Sequence, residues 1–207
     1  MQFLGVGLSK TGTSSLHRAM RILGFKSLHY DAVRLKNVIL GIDNSPDFKI
    51  YDDLDVVSDL PSAFFYKEFA RAYPNLKFIL TVRDEDEWWV SIRNHYRRHP
   101  VRSERDNPFR WHLRHYVYGS AIPNEFLFKK RFRDHNQAVM ATIQADRLLV
   151  MNITAGDGWA ALCDFVERPQ PRGVPFPVAN RAQEAATTTV PAGSARAGMN
   201  EAPSKNR

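Results

Sequence analysis

The stretch Gly7-Leu8-Ser9-Lys10-Thr11-Gly12-Thr13-Ser14-Ser15 puts one lysine and a run of hydroxyls between two glycines and a helical pattern. An apolar run, residues 2–7, leads into it and reads as a buried strand. Leu16, Ala19, Met20 and Leu23 follow at helical spacing, and Gly24 stops the pattern. A glycine-rich turn between a strand and a helix is a phosphate site. The first amides of the helix have no partner within it, and its dipole favours an anion there. Gly7 and Gly12 let the backbone approach oxygen atoms. Lys10 brings charge to a bridging or terminal oxygen, and Thr11, Thr13, Ser14 and Ser15 add hydroxyl donors. In a Walker A loop the lysine follows the last glycine. Here it precedes Gly12, which argues against an ordinary triphosphate-cleaving loop.

A second anion contact comes from residues 76–82, an apolar strand ending in Arg83-Asp84, with Ser91 eight residues after Arg83. Ligands of α/β sheets bind beyond the carboxyl ends of the strands. Arg83 is therefore placed for a phosphate, and Ser91 lies about two turns into the next helix. Asp59 stands just before Leu60-Pro61, where an aspartate reads as a helix N-cap. His29 and Asp31 stand at the end of a short strand at 26–30.

The order Lys10-Thr11-Gly12-Thr13-Ser14 resembles the 5′-phosphosulfate loop of sulfotransferases, and Arg83 with Ser91 resembles their 3′-phosphate site. Further segments look like the compact microbial members of that P-loop family. They are Ser58-Asp59-Leu60-Pro61, Ile79-Leu80-Thr81-Val82-Arg83-Asp84, Trp88, Gly158-Trp159 with Leu162-Cys163 and Phe165, and Pro175-Phe176-Pro177 with Asn180. The resemblance covers residues 2 to about 181. It implies sulfuryl transfer from 3′-phosphoadenylyl sulfate (PAPS), leaving adenosine 3′,5′-bisphosphate (PAP), to a hydroxyl of a small-molecule or glycan acceptor. Lys10, Thr11, Gly12, Thr13, Ser14 and Ser15 would hold the 5′-phosphosulfate, and Arg83 and Ser91 the 3′-phosphate. Lys10, Asp59 and His29 would be catalytic. Asp59 occupies the place of the histidine base in the His-Leu-Pro segment of cytosolic sulfotransferases, so the resemblance gives it a base role that stands level with its reading as a cap, with His29 or Asp31 as the alternative base.

Strands at 2–7, 26–30, 76–82 and 147–152 alternate with helices at 13–24, 31–41, from Asp59 to about Tyr73, after Asp84, at 129–145 and at 158–167. That alternation predicts a three-layer α/β/α fold of the P-loop type around a mostly parallel sheet. Residues 99–125 read as irregular. Residues 1–182 form one expected domain, and 183–207, lacking aromatics, an expected disordered tail. The 207 residues carry a net charge of +7, which suits an anionic partner.

Basic and aromatic residues interleave from Arg93 to Arg133, including Arg98, Arg110 and Arg114. They suit an acidic or aromatic acceptor, the nucleotide, or a solvated face, and no nucleic acid is expected as partner. Cys163 is the only cysteine and cannot close an internal disulfide. No apolar run is long enough to span a membrane, no signal peptide is evident, and a cytoplasmic location is expected. No metal-ligand spacing appears, so no metal is expected. Two rivals stay open. One is a nucleotide kinase or NTPase with an atypical loop, needing Asp84 for magnesium. The other is a non-catalytic anion or nucleic-acid binding module.

Overall fold

The computed structural model describes residues 1–179. Five strands form one sheet: β1 (Phe3–Gly5), β2 (Ser27–His29), β3 (Val56–Ser58), β4 (Lys77–Thr81) and β5 (Leu148–Met151). Their order is β2-β3-β1-β4-β5, and every pairing is parallel. Parallel neighbours need crossover connections rather than tight turns. The helices are α1 (Thr13–Ile22), α2 (Lys36–Ile39), α3 (Tyr66–Ala72), α4 (Glu85–Arg98), α5 (Pro108–Tyr118), α6 (Glu125–Thr142) and α7 (Trp159–Phe165).

Successive strand residues point to opposite faces, and this divides the core. Phe3, Val56, Ile79 and Met151 pack on Leu16, Ala19 and Met20 of α1 and Leu162 of α7. Leu4, Val57, Phe78 and Leu80 pack the other way, on Tyr66 and Phe69 of α3 and Val139 of α6. The result is the expected α/β/α sandwich. Burying a leucine or phenylalanine is worth about 1.5–3 kcal/mol. A one-residue slip of a strand would turn these side chains to the wrong face, so packing fixes the register of the short strands.

A third cluster joins the helices to one another. Trp88, Ile92 and Tyr96 of α4 meet Leu113 and Val117 of α5, Phe128 and Phe132 of α6, and Leu8 and Leu60. Trp88 stacks on Phe132, with ring centroids 4.2 Å apart and planes 11° from parallel.

Four expectations change. The sequence reading had no strand at Val56–Ser58, yet β3 pairs with both β1 and β2. The helix expected from Asp59 begins only at Tyr66, because residues 59–65 form turns: the Ala63 amide bonds the Asp59 carbonyl and the Phe64 amide the Pro61 carbonyl. The helix expected at 31–41 shrinks to α2, since Asp31 and the turn after it take residues 31–35. Segment 99–125 contains α5, started by the Asn107 side chain on the Arg110 amide and stopped by left-handed Gly119. Asn180, the domain end at 182 and the expected tail lie outside the described residues.

Candidate active site

Beside the end of β1 lies a cleft of about 670 Å³. Lys10, Gly12, Thr13, Ser14, Ser15, His29, Asp59, Arg83 and Ser91 all line it, so chain segments far apart in sequence converge on one site. Thr11 is the exception. Its fully buried hydroxyl donates to the Leu8 carbonyl at 2.7 Å and shares a 2.6 Å hydrogen bond with the Thr81 hydroxyl. Gly7 serves the same junction. A Cβ there would lie 2.6 Å from the Thr81 carbonyl oxygen, so this glycine allows the close approach of β4 rather than of a ligand.

The other hydroxyls of the loop mostly bond within the protein. Thr13 Oγ1 donates to Asp59 Oδ2 at 3.0 Å, and Ser14 Oγ lies 3.3 Å from His29 Nε2. Ser15 Oγ accepts the Ala179 amide at 2.9 Å. The first amides of α1, which an α-helix cannot pair internally, line this corner together with the cationic Lys10. The Trp88 indole N–H holds the loop from behind through the Ser9 carbonyl, at 3.0 Å.

Asp59 fastens the loop to the end of β3. Its Oδ1 accepts Ser9 Oγ at 2.5 Å and the Leu60 amide at 2.7 Å. Its Oδ2 takes Thr13 Oγ1 and stands 3.0 Å from His29 Nε2. Burial pushes this carboxyl up, but the His29 bond and charge, with the bonds from Ser9 and Leu60, outweigh it and hold Asp59 below the usual carboxylate range. Both oxygens are thus saturated with donors. Asp59 and His29, read from sequence as alternatives, form one unit. Asp31 stands apart: it caps the Val33 and Arg34 amides and accepts the Tyr51 hydroxyl.

Lys10, Tyr30 and Asp59 line the cleft with left-handed backbones, at φ of 75°, 57° and 69°. Such φ values cost a non-glycine residue about 1–2 kcal/mol each. They persist where the surroundings enforce them, which is commonest at functional sites.

Arg83 and Ser91 meet the cleft from the end of β4 and from α4. Arg83 is 15% exposed, and its Nε lies 3.3 Å from Glu87. Asp84 is committed elsewhere: one carboxylate oxygen caps α4 through the Asp86 and Glu87 amides, both at 3.0 Å. Asp84, the acid a magnesium-dependent rival would need, is not among the residues that line the cleft. Among the described residues, no cluster of three or more His, Cys, Asp or Glu side chains could hold a metal ion.

The family model for the sulfotransferase domain matches residues 2–185. The chain belongs to this family. Among curated relatives, this sulfotransferase-family chain is 28% identical to Ava biosynthesis cluster protein M of Aspergillus versicolor over 207 aligned positions, covering 83% of this chain and 78% of that one. Its fold is similar to that of a sulfotransferase from Alicyclobacillus acidocaldarius, over 90% of both chains, with a TM-score of 0.53 at 14% identity.

The rest of the lining of this sulfotransferase cleft includes Arg98, Arg110 and Arg114 of the basic and aromatic segment, together with residues that the sequence reading did not assign to the site, His95 and Leu113 among them. Ser9, Tyr30, Tyr96 and His99 also line it. His95 stands one turn after Ser91 on α4, a relation readable from spacing once Ser91 is placed. Burial first, then the Lys10 charge, with His99 and Arg98 adding, pushes His95 down to about 4 against an opposing pull from Asp59. Among the described residues, no helix is long and apolar enough to cross a membrane.

Proposed function

We propose that this protein transfers a sulfuryl group from PAPS to a hydroxyl of a small-molecule or glycan acceptor. One observation carries the reading. Lys10 and the first turn of α1 share a single cleft with Arg83 and Ser91, two anion-binding corners on one ligand-sized space. The donor set suits a nucleotide carrying phosphates at both ends: amides, an ammonium, a guanidinium and a hydroxyl, with both lining carboxylates already engaged.

The bound donor supplies an activated sulfuryl group. The chain's own residues do the rest. The amides of Gly12 to Ser15 and the Lys10 ammonium hold the 5′ end, and Lys10 offsets negative charge growing on the phosphate oxygen as it departs. Arg83 and Ser91 hold the 3′-phosphate, with Arg83 giving up its contact with exposed Glu87. Asp59 accepts from Nε2 of His29, which leaves Nδ1 as the imidazole's lone-pair nitrogen. His29 is assigned as acceptor of the hydroxyl proton and Asp59 as the residue that positions it. A cytoplasmic location belongs to the same reading, supported by the lone Cys163.

Calorimetric titration with PAP tests this. Wild type should bind PAP, and Arg83→Ala should bind it about tenfold to a hundredfold more weakly, the worth of one charged hydrogen-bonding group. Absence of PAP binding to wild type would overturn the proposal.

A further inference from the structure

The outer half of the cleft has a charge pattern that the nucleotide does not account for. Ser91 lies at one α4 position and Arg98 seven residues on, about 10 Å further along the helix axis. Arg110 and Arg114 face the same space from α5, one turn apart. The cleft has only two lining carboxylates, Asp59 and Glu87. The first is saturated by Ser9, Thr13, Leu60 and His29, and the second meets Arg83. Among the described residues, Arg98 and Arg110 form no ion pair.

Arg114 is the telling member. It is 5% exposed, yet among the described residues no carboxylate forms an ion pair with it. Its guanidinium donates to the His99 carbonyl at 2.8 Å and the Ala121 carbonyl at 3.3 Å, and lies 3.7 Å from the Tyr96 ring centroid. Those partners fix its position without supplying a negative charge. A buried guanidinium is normally compensated by an anion. The same lining also carries apolar and aromatic surface, Leu60, Tyr30, Tyr96 and Leu113, beside the imidazoles of His95 and His99.

Building on the sulfuryl-transfer reading, we propose that the acceptor is a hydroxylated organic acid whose anionic group docks on Arg98, Arg110 and Arg114, with its apolar body against Tyr30 and Leu113. The acceptor oxygen forms the new bond to sulfur, the bond from sulfur to the phosphate oxygen breaks, and the hydroxyl proton passes to His29. The arginine cluster takes no part in bond-making. It selects the acceptor and aims its hydroxyl.

The test is calorimetry on the full chain saturated with PAP. The probes are 4-hydroxyphenylacetate, a longer aromatic hydroxy acid, an aliphatic hydroxy acid, and the methyl ester of each. At least one acid should bind at least tenfold more tightly than its ester. Arg110→Gln and Arg98→Gln, at half-buried and exposed positions, should each weaken that acid about tenfold while leaving PAP affinity within twofold. Equal binding of acids and esters, binding of none of the acids, or acid binding that both variants leave intact overturns the inference. A matching loss of PAP affinity in the variants also overturns it, by assigning the cluster to the nucleotide. Failure of wild type to bind PAP in the first place removes the sulfuryl-transfer reading instead.

Discussion

At the scale of single residues, the informative side chain is Asp59. Its identity was legible, because an acid before Leu60-Pro61 stood out, but its chemistry was not. Base and cap are indistinguishable until the partners are seen, and those partners come from positions 9, 13 and 29. Four donors on two oxygens make it an anchor. Asp59→Asn tolerates the left-handed backbone but replaces one acceptor oxygen by a donor facing other donors. It should cost about 3 kcal/mol in urea unfolding, and PAP should bind more weakly because Ser9 and Thr13 lose their tether. An unchanged unfolding midpoint would remove the anchoring role. Thr11 makes the opposite point. The pattern named it as a ligand contact, whereas the fold buries its hydroxyl against Thr81.

Among the elements, those with strong periodicity and clean ends were legible: α1, closed by Gly24, and α4, opened by Asp84 and three acidic residues. The misses have different causes. β3 has only three residues, with neither the apolar run nor the glycine turn that flags β1, and owes its place to β1 and β2 on either side. α5 carries an N-cap asparagine, a proline in its first turn and a terminal glycine, but a dense mix of arginine and aromatic side chains masks its apolar stripe. Asn107→Ala should destabilise α5 by about 1 kcal/mol. In a PAP-saturated titration it should weaken acid binding more than PAP binding. Gly7→Ala strikes the sheet itself, forcing β1 away from Thr81. About 3 kcal/mol of overpacking is expected, read as a lower midpoint in urea.

Across the whole molecule, half-buried imidazoles set the acid response. Burial lowers His17, His135 and His95, the last to about 4. Each binds a proton more readily unfolded than folded, so stability is complete above the unfolded value of about 6.5 and declines as pH falls toward 4. Asp59, held low by its donors, keeps its contribution through that window and loses it only below the usual carboxylate range. Unfolding midpoints at pH 7, 5.5 and 4.5 should therefore fall in turn, and His95→Gln should flatten part of the slope. A pH-independent midpoint would contradict these half-buried positions. The global architecture was the most legible level of all, since alternating strands and helices leave few ways to cover both faces of a parallel sheet. The cleft's far wall was the least legible, because it is assembled from helices whose packing partners are distant in sequence. The Trp88 indole reaches from that helical layer to the loop, donating to the Ser9 carbonyl, with the ring stacked on Phe132. The protein thus carries its own optical probe. A nucleotide that reshapes the loop alters the polarity around a fully buried fluorophore, so PAP should shift tryptophan emission in wild type and leave it flat in Trp88→Phe.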